Sequence, residues 1–204
     1  MVKTRPNWPE IVYGGGKDSS KVSRGVSKKE LRKIGPALYT SKLSESPVRV
    51  VGRHLWEIVA HYAPGAVVSH RTAFEGRPSQ DGTVFLTSSV SKRLDIPGLR
   101  LRVQKGPRAL PGDGPFVNGL LLASEPRLLL ENLTLARGRS ATRRTVSRQD
   151  VELRLETVLR SRGENALNAI RDQARALASG LGAAREMAQL DALIGALLRS
   201  RPAS

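Results

Sequence analysis

The spacing of apolar residues changes along the chain, and this change decides the fold class. From Ser147 onward, apolar side chains recur three and four residues apart, which is typical of amphipathic helices. Between Ala66 and Leu122 they occur in short extended runs separated by glycine and proline, which is typical of strands. The two patterns together predict an α+β protein, with a small sheet, helices against it and a helical C-terminal part.

Turn and cap residues divide the middle of the chain into elements. A helix is predicted over 46–62, where Pro64-Gly65 ends it. Strict alternation in the run at 99–103 places Arg100 and Arg102 on one exposed face of a strand. The predicted strands are 66–68, 83–87, 99–103 and 120–122.

The last third of the chain is predicted to be helical. A short helix is expected from Glu125 to Leu133, followed by a basic loop at 137–144 that is either a phosphate contact or a flexible linker. Ser147 then caps a helix that Gly163 is expected to break. Two more helices are predicted, one ending at the glycines 180–182 and one covering 187–198.

The charge of the chain is strongly positive and unevenly placed. Its 204 residues include 34 Lys and Arg against 18 Asp and Glu, a formal net charge of +16. Residues 1–43 carry a net charge of +7 and residues 105–148 one of +5, whereas residues 149–204 are nearly balanced. A polyanion is the partner that this distribution favours, and nucleic acid is the first candidate. Wide use of arginine for solubility is the alternative explanation.

A basic helix followed by a hairpin is predicted within residues 1–43. The helix is expected over 19–29, and any of residues 18–20 can supply its N-cap oxygen. Two extended runs then flank Gly35-Pro36, which indicates a β-hairpin. This order is that of a recognition helix and a wing, although too few residues precede the helix for a full three-helix winged domain. A solvated surface helix is the alternative.

The predicted DNA contacts come from this helix and hairpin. The start of a helix and its hydroxyls hold phosphate, and cations along the helix contact phosphate or base edges. The wing is expected to hold the flanking backbone. The predicted site residues are Ser19 and Ser20 at the helix start, Lys21, Arg24, Lys28 and Lys29 along the helix, and Arg32 and Lys33 on the wing.

The sequence gives no argument for catalysis, and neither a metal nor a cofactor is expected. Cysteine is absent, which excludes thiolate metal sites and thiol nucleophiles. The glycines before Lys17 do not form a P-loop, because the first glycine of that signature and the hydroxyl after the lysine are missing. The histidines at 54, 61 and 70 are interpreted as exposed or core-edge residues. Ser69, His70 and Asp81 lack the motif that would support a catalytic triad. The chain is therefore expected to be non-enzymatic.

The residues that join the basic helix to the hairpin resemble a known family. The segment Ser23–Thr40 (SRGVSKKELRKIGPALYT) is similar to the end of the winged helix-turn-helix in AbiEi-type antitoxins, where a basic helix runs into the wing. The segments at 54–57 and 66–76 resemble the sequence after that wing. This resemblance implies an antitoxin-like transcriptional regulator of a toxin–antitoxin or phage-defence system, with a cognate toxin as a possible partner.

Most of the chain, from Leu31 to about Leu198, also resembles the region before the catalytic domain in some bacterial Fic-family proteins. The shared markers are Leu-Tyr-Thr at 38–40, Ser-His-Arg-x-Ala at 69–73, Phe-Leu-Thr at 85–87 and Leu-Leu-Glu-Asn at 129–132. The Fic catalytic signature and the family's inhibitory helix pattern are missing, so the resemblance implies no AMP transfer. It implies either the regulatory part of a longer enzyme or a stand-alone DNA-binding protein.

These features predict a DNA-binding regulatory protein in three parts. The parts are a reduced winged-helix segment at 1–43, an α+β antitoxin-like domain at 44–133, and C-terminal helices at 134–204 that pack on that domain or on a partner. The protein's own promoter is the expected DNA. The alternatives are a protein-interaction module of a Fic-type AMP-transferase and, third, an RNA-binding protein. Without a membrane-length apolar run or a secretory signal, the chain is expected to be cytoplasmic.

Overall fold

The structure of the chain is a computed structural model that describes residues 7–134 and 142–200. It has the predicted α+β architecture, with a small antiparallel sheet, a larger mixed sheet and a helical C-terminal part. Of the basic loop predicted at 137–144, residues 137–141 lie outside the described ranges.

The small sheet contains the predicted hairpin and one further strand. Its elements in chain order are β1 (Ile11–Tyr13), α1 (Ser19–Ser27), β2 (Arg32–Gly35) and β3 (Leu38–Thr40). The middle strand β3 pairs antiparallel with both β1 and β2. The hairpin is therefore confirmed, whereas β1 is too short to show an alternation in the sequence. Helix α1 begins at the predicted residue and ends at Ser27, two residues earlier than expected.

The helix predicted over 46–62 is divided in two. Helix α2 (Pro47–Arg53) and helix α3 (Leu55–Tyr62) meet at His54, whose backbone angles are φ −104° and ψ 20°. Neither glycine nor proline occupies this position, so no helix-breaking rule marks it in the sequence. The predicted N-cap position, Ser46, is confirmed, but its side chain makes no capping hydrogen bond.

The large sheet has the strand order β6-β7-β5-β4-β9-β8. Its strands are β4 (Val67–Val68), β5 (Thr83–Ser88), β6 (Lys92–Ile96), β7 (Leu99–Lys105), β8 (Gly114–Pro115) and β9 (Leu121–Leu122). The pairs β5–β7 and β4–β9 are parallel, and the other pairs are antiparallel. The four predicted strands correspond to β4, β5, β7 and β9. The sequence analysis missed β6, β8 and the short helix α4 (His70–Glu75).

The C-terminal part consists of α5 (Glu125–Leu133), α6 (Arg148–Leu181) and α7 (Ala184–Arg199). Ser147 and Asp150 form a reciprocal capping box at the start of α6, as the predicted cap requires. Gly163 does not end the helix. It takes a non-helical conformation (φ 81°, ψ 177°) inside α6, so the two helices predicted around it form one kinked element.

Three groups of buried apolar side chains hold these layers together. The central core lies between the small sheet, α2, α3 and one face of the large sheet; its members include Ile11, Ile34, Leu38, Val50, Ile58, Leu86, Leu99 and Leu101. The C-terminal core joins α5, α6 and α7 to β4. The N-terminal cluster joins α1 to the other face of the small sheet; it consists of Val12, Val22 and Leu31, with Trp8 and Tyr39 against them.

A buried ionic network anchors α5 to the segment that leads into β8. The Arg127 guanidinium, fully buried, pairs with the carboxylates of Asp113 and Glu131. It also donates to the backbone carbonyls of Arg108 at 2.7 Å and Pro107 at 3.0 Å. Two negative charges and several carbonyls therefore converge on one guanidinium, whose five donors suit this arrangement.

Candidate nucleic-acid interface

Helix α1 presents its cations in one stripe. Val22 and Gly25 are buried, whereas Lys21, Arg24 and Lys28 are exposed. With about 100° of rotation per residue, the three cations lie within about 60° of each other, on the side of α1 away from Val22. The spacing of three and four residues therefore produces a continuous basic edge beside the buried face of α1.

The start of α1 differs from the predicted cap. Asp18 is at the N-cap position, but no side chain caps the helix. The chain enters α1 through a 3₁₀ turn at Gly16–Asp18, whose exposed Lys17 the sequence analysis did not include in the site. The hydroxyls of Ser19 and Ser20 are exposed, and neither has a hydrogen-bond partner within the described part of the chain. Both hydroxyls therefore remain open to an external acceptor.

Lys29 occupies an unusual backbone conformation at the end of α1. Its φ angle of 55° lies in the left-handed region, where glycine is the usual residue. The amide of Lys29 donates to the carbonyl of Val26, and the amide of Glu30 donates to that of Gly25, both at 2.9 Å. These two bonds form a Schellman motif, in which a non-glycine residue costs about 1 kcal/mol. A lysine is thus held at a position that glycine would occupy with less strain.

The hairpin places its two predicted cations on opposite faces. Lys33 pairs with Tyr39 across the strands, so both lie on the face that carries α1. Arg32 shares the other face with Ile34, and its guanidinium donates to the carbonyls of Lys42 and Glu45. Arg32 is therefore occupied within the protein. Lys33 is the hairpin cation beside α1, and the contact of Arg32 with the DNA backbone stays a prediction.

Trp8 packs against the buried side of α1. The Nζ of Lys21 lies 5.1 Å from the centre of the indole ring, and the indole Nε1 donates to Glu30 at 3.1 Å. Gly25 brings the helix close to the same ring, because a Cβ there would lie 3.0 Å from Trp8 and 2.9 Å from Leu31. The absence of a side chain at position 25 thus allows α1 to pack closely against Trp8 and Leu31.

Ionic contacts connect the small sheet to α2 and α3. Arg53 pairs with the carboxylates of Glu10 and Glu45, which holds the pKa of both carboxyls below the usual range. The hydroxyl of Tyr13 donates to Glu57 at 3.2 Å, and burial together with this carboxylate raises the pKa of Tyr13. These contacts join β1 to the helices on either side of His54.

The residues weighed as a triad do not form one. Ser69 Oγ and His70 Nδ1 are 2.9 Å apart, but Asp81 binds Arg100 instead of the histidine. Glu131 lies 3.6 Å from the same Nδ1, so the serine and a carboxylate both face one ring nitrogen. Ser69 and His70 are buried, and burial lowers the pKa of His70 to about 4. His70 is thus a neutral core residue rather than the exposed or core-edge residue expected.

Within residues 7–134 and 142–200, no group of three or more His, Asp or Glu side chains is arranged to hold a metal ion. Over the same ranges, no helix is long and apolar enough to cross a bilayer.

The site residues thus form a basic surface on one side of the small sheet. We define the α1 surface as Lys17, Ser19, Ser20, Lys21, Arg24, Lys28, Lys29 and Lys33. The chain is thus an α+β protein with a basic helix and an adjoining hairpin on one side of its small sheet. Comparison with models of known protein families, with curated proteins and with solved structures gives no match to this chain. The resemblance to AbiEi-type antitoxins and to Fic-associated regions therefore stays a prediction.

Proposed function

We propose that the chain is a non-enzymatic, DNA-binding regulatory protein that uses the α1 surface to bind duplex DNA, as an antitoxin-like transcriptional regulator does. The observation that carries this proposal is the alignment of Lys21, Arg24 and Lys28 in one exposed stripe, with Lys33 on the same side of the sheet. A helix fits the major groove of B-DNA, and cations along its edge reach the phosphates on either side.

The strain at Lys29 supports the same proposal. A left-handed non-glycine residue is often retained where function needs its side chain. Here the side chain adds a positive charge directly beside Lys28, at the end of the stripe. The proposal explains why a cation stands where glycine would make the fold more stable.

The main test is the binding of a duplex from the protein's own promoter across a salt series. Six phosphate contacts from the six cations of the α1 surface give a slope of log K against log salt of about −5. The variant Lys21→Ala/Arg24→Ala/Lys28→Ala should reduce the slope to about −3 and remove the preference for the promoter sequence. A matched control, Arg160→Ala/Arg185→Ala/Arg199→Ala, removes three exposed arginines from α6 and α7. If both variants weaken binding equally, the α1 surface is not the part of the protein that recognises the promoter sequence.

Lys29→Gly provides a second test, in which two measurements should move in opposite directions. The substitution should stabilise the fold by about 1 kcal/mol, because it removes the left-handed strain. It should also weaken promoter binding and reduce the salt slope by about 1. A gain in stability with unchanged DNA affinity would indicate that Lys29 has no part in binding.

A protein-interaction role is the second candidate, and one feature of the C-terminal part favours it. A largely apolar groove of about 390 Å³ lies between α6 and the segment 110–112, lined by residues that include Leu110, Pro126 and Leu177. Such a groove suits an apolar segment of a toxin or a Fic domain. Loss of binding to a co-expressed toxin in Ala176→Glu, with intact DNA binding in the same variant, would favour this role.

A further inference from the structure

Strands β6 and β7 carry a second basic surface that the proposed function does not use. Leu94 and Ile96 on β6, and the apolar residues of β7, face the central core. Because side chains alternate along a strand, Arg93, Arg100 and Arg102 lie on the opposite face. Within residues 7–134 and 142–200, no helix covers this face at the edge of the sheet, where Arg93 and Arg100 are exposed and Arg102 is half-buried. We call these three residues the arginine face.

The protein neutralises only part of the arginine face. Arg93 and Arg102 stand directly opposite each other across the two strands, an arrangement of like charges that destabilises a sheet. Arg102 bonds to Asp95, and Arg100 bonds to Asp81 at 3.0 Å. Arg93 has no ion pair within the described part of the chain. One positive charge and one unfavourable cross-strand pair therefore remain, and both favour a bound anion.

A polar cleft continues this surface beyond Asp81. The cleft has a volume of about 550 Å³ and is lined by Arg71, Glu75, Arg77, Ser79, Gln80, Asp81, Thr142 and Arg143, with Pro78 between them. Arg77 and Arg143 are exposed and form no ion pair among residues 7–134 and 142–200. The Oγ of Ser79 and the Nε of Arg71 are buried without a hydrogen-bond partner over the same ranges. The exposed guanidinium groups of Arg77 and Arg143, without ion pairs in this part of the chain, suit the oxygens of a phosphate.

We propose that the arginine face and this cleft form a second nucleic-acid site, which binds the phosphate backbone of duplex DNA independently of α1. The proposal rests on the proposed function for the identity of the polyanion. A flat sheet face has no element that enters a groove, so this site binds without regard to sequence. It supplies affinity for any DNA, whereas α1 supplies the preference for one sequence.

The two sites lie on different sides of the protein. On the small sheet, α1 covers the face that carries Val12 and Tyr39, and Leu38 points into the central core. On the large sheet, Leu101 points into the same core, and Arg102 points away from it. Each site is thus the outer face of its own sheet, and the two sites hold separate DNA segments.

The test uses a duplex of unrelated sequence, which reports on binding that ignores sequence. In Arg77→Gln/Arg93→Gln/Arg143→Gln, three phosphate contacts are lost at the second site, and the salt slope for binding at that site should fall by about 2.7. A fourfold rise in salt should then weaken the wild type about 40-fold more than the variant. The matched control, Arg160→Gln/Arg185→Gln/Arg199→Gln, should behave as the wild type does. Far-ultraviolet circular dichroism checks that each variant is folded. If the triple variant does not fold, Arg93→Gln alone replaces it, and the salt slope should then fall by about 0.9.

A short duplex of about one helical turn separates the two sites by stoichiometry. The wild type should bind two such duplexes per chain, and both the Arg77/Arg93/Arg143 variant and the Lys21/Arg24/Lys28 variant should bind one. If the arginine variant still binds two, or retains the full salt slope, the second site is overturned while the α1 proposal stands. If only the α1 variant keeps wild-type binding, the α1 proposal fails and the second site stands.

Discussion

The buried His70 should make the stability of the protein depend on pH in a way that one substitution removes. The ring is buried, and desolvation is the main cause that lowers its pKa to about 4. The Glu131 carboxylate opposes this effect, and the guanidinium groups of Arg144 and Arg127 add to it. In the unfolded chain the same histidine has its ordinary pKa of 6.5. Between these two values the unfolded chain binds a proton that the folded chain does not bind.

The sign and size of the effect follow from this difference. Because the folded pKa lies below the unfolded one, the neutral ring stabilises the fold at pH 7, and this stability is lost as the pH falls from 6.5 toward 4. Relative to pH 7, the loss amounts to about 1 kcal/mol at pH 5.5 and about 2 kcal/mol at pH 4.5. Carboxylates with lowered pKa values add losses of their own near the acid end of this range.

His70→Asn isolates the contribution of the histidine. Asparagine tolerates the left-handed conformation that position 70 adopts, with φ 53°, and it does not titrate. Urea denaturation of both proteins at pH 7, 5.5 and 4.5 gives two free energies of unfolding at each pH. The variant should be less stable than the wild type at pH 7. This difference in stability should shrink by about 1 kcal/mol at pH 5.5 and by about 2 kcal/mol at pH 4.5. A difference that stays constant over this range would refute the assignment of His70 as a neutral buried ring.

Four other substitutions test how the fold is held together, each by its free energy of unfolding in urea. Arg127→Ala leaves two buried carboxylates without their cation and should cost about 3–5 kcal/mol; a loss below about 1 kcal/mol would contradict the network. In Gly82→Ala, the new Cβ would lie 2.5 Å from the carbonyl oxygen of Gly98, at a φ of +76°, so about 2–3 kcal/mol should be lost. Gly52→Ala is the control for Gly82→Ala, because a Cβ at position 52 in α2 would meet open space. Its free energy of unfolding should rise by up to about 1 kcal/mol. Ser147→Ala removes the capping box of α6 and should cost about 1 kcal/mol, whereas an unchanged midpoint would show that the cap contributes nothing.

Elements with long periodic patterns were predictable, and elements that depend on a neighbour were not. The apolar spacing of α5 and α7, and the alternation of β7, identify these segments without any tertiary information. By contrast, Lys92–Ile96 contains three charged residues in five and becomes a strand because β7 offers it hydrogen bonds. The break at His54 likewise follows from packing, since no residue there disfavours a helix.

In the candidate site, too, some features could be predicted from the sequence and others could not. The spacing of Lys21, Arg24 and Lys28 is sufficient to place them on one side of a helix. The opposite faces of Arg32 and Lys33 could also be predicted from the sequence, because Arg32 alternates with the apolar Ile34 and so shares its inward face. The left-handed backbone of Lys29 was not predictable, since lysine is not a residue that signals this conformation.

The central core sets the time at which the α1 surface can form during synthesis. The small sheet buries Ile11 and Leu38 against side chains that appear much later in the chain, up to Leu120. Contacts of such sequence separation form slowly, because the intervening chain must first be ordered. A nascent or prematurely terminated chain that contains all the cations of α1 but lacks β7 therefore leaves the inner face of the small sheet without part of its apolar cover. If the chain binds DNA as we propose, such fragments should bind it more weakly than the finished protein.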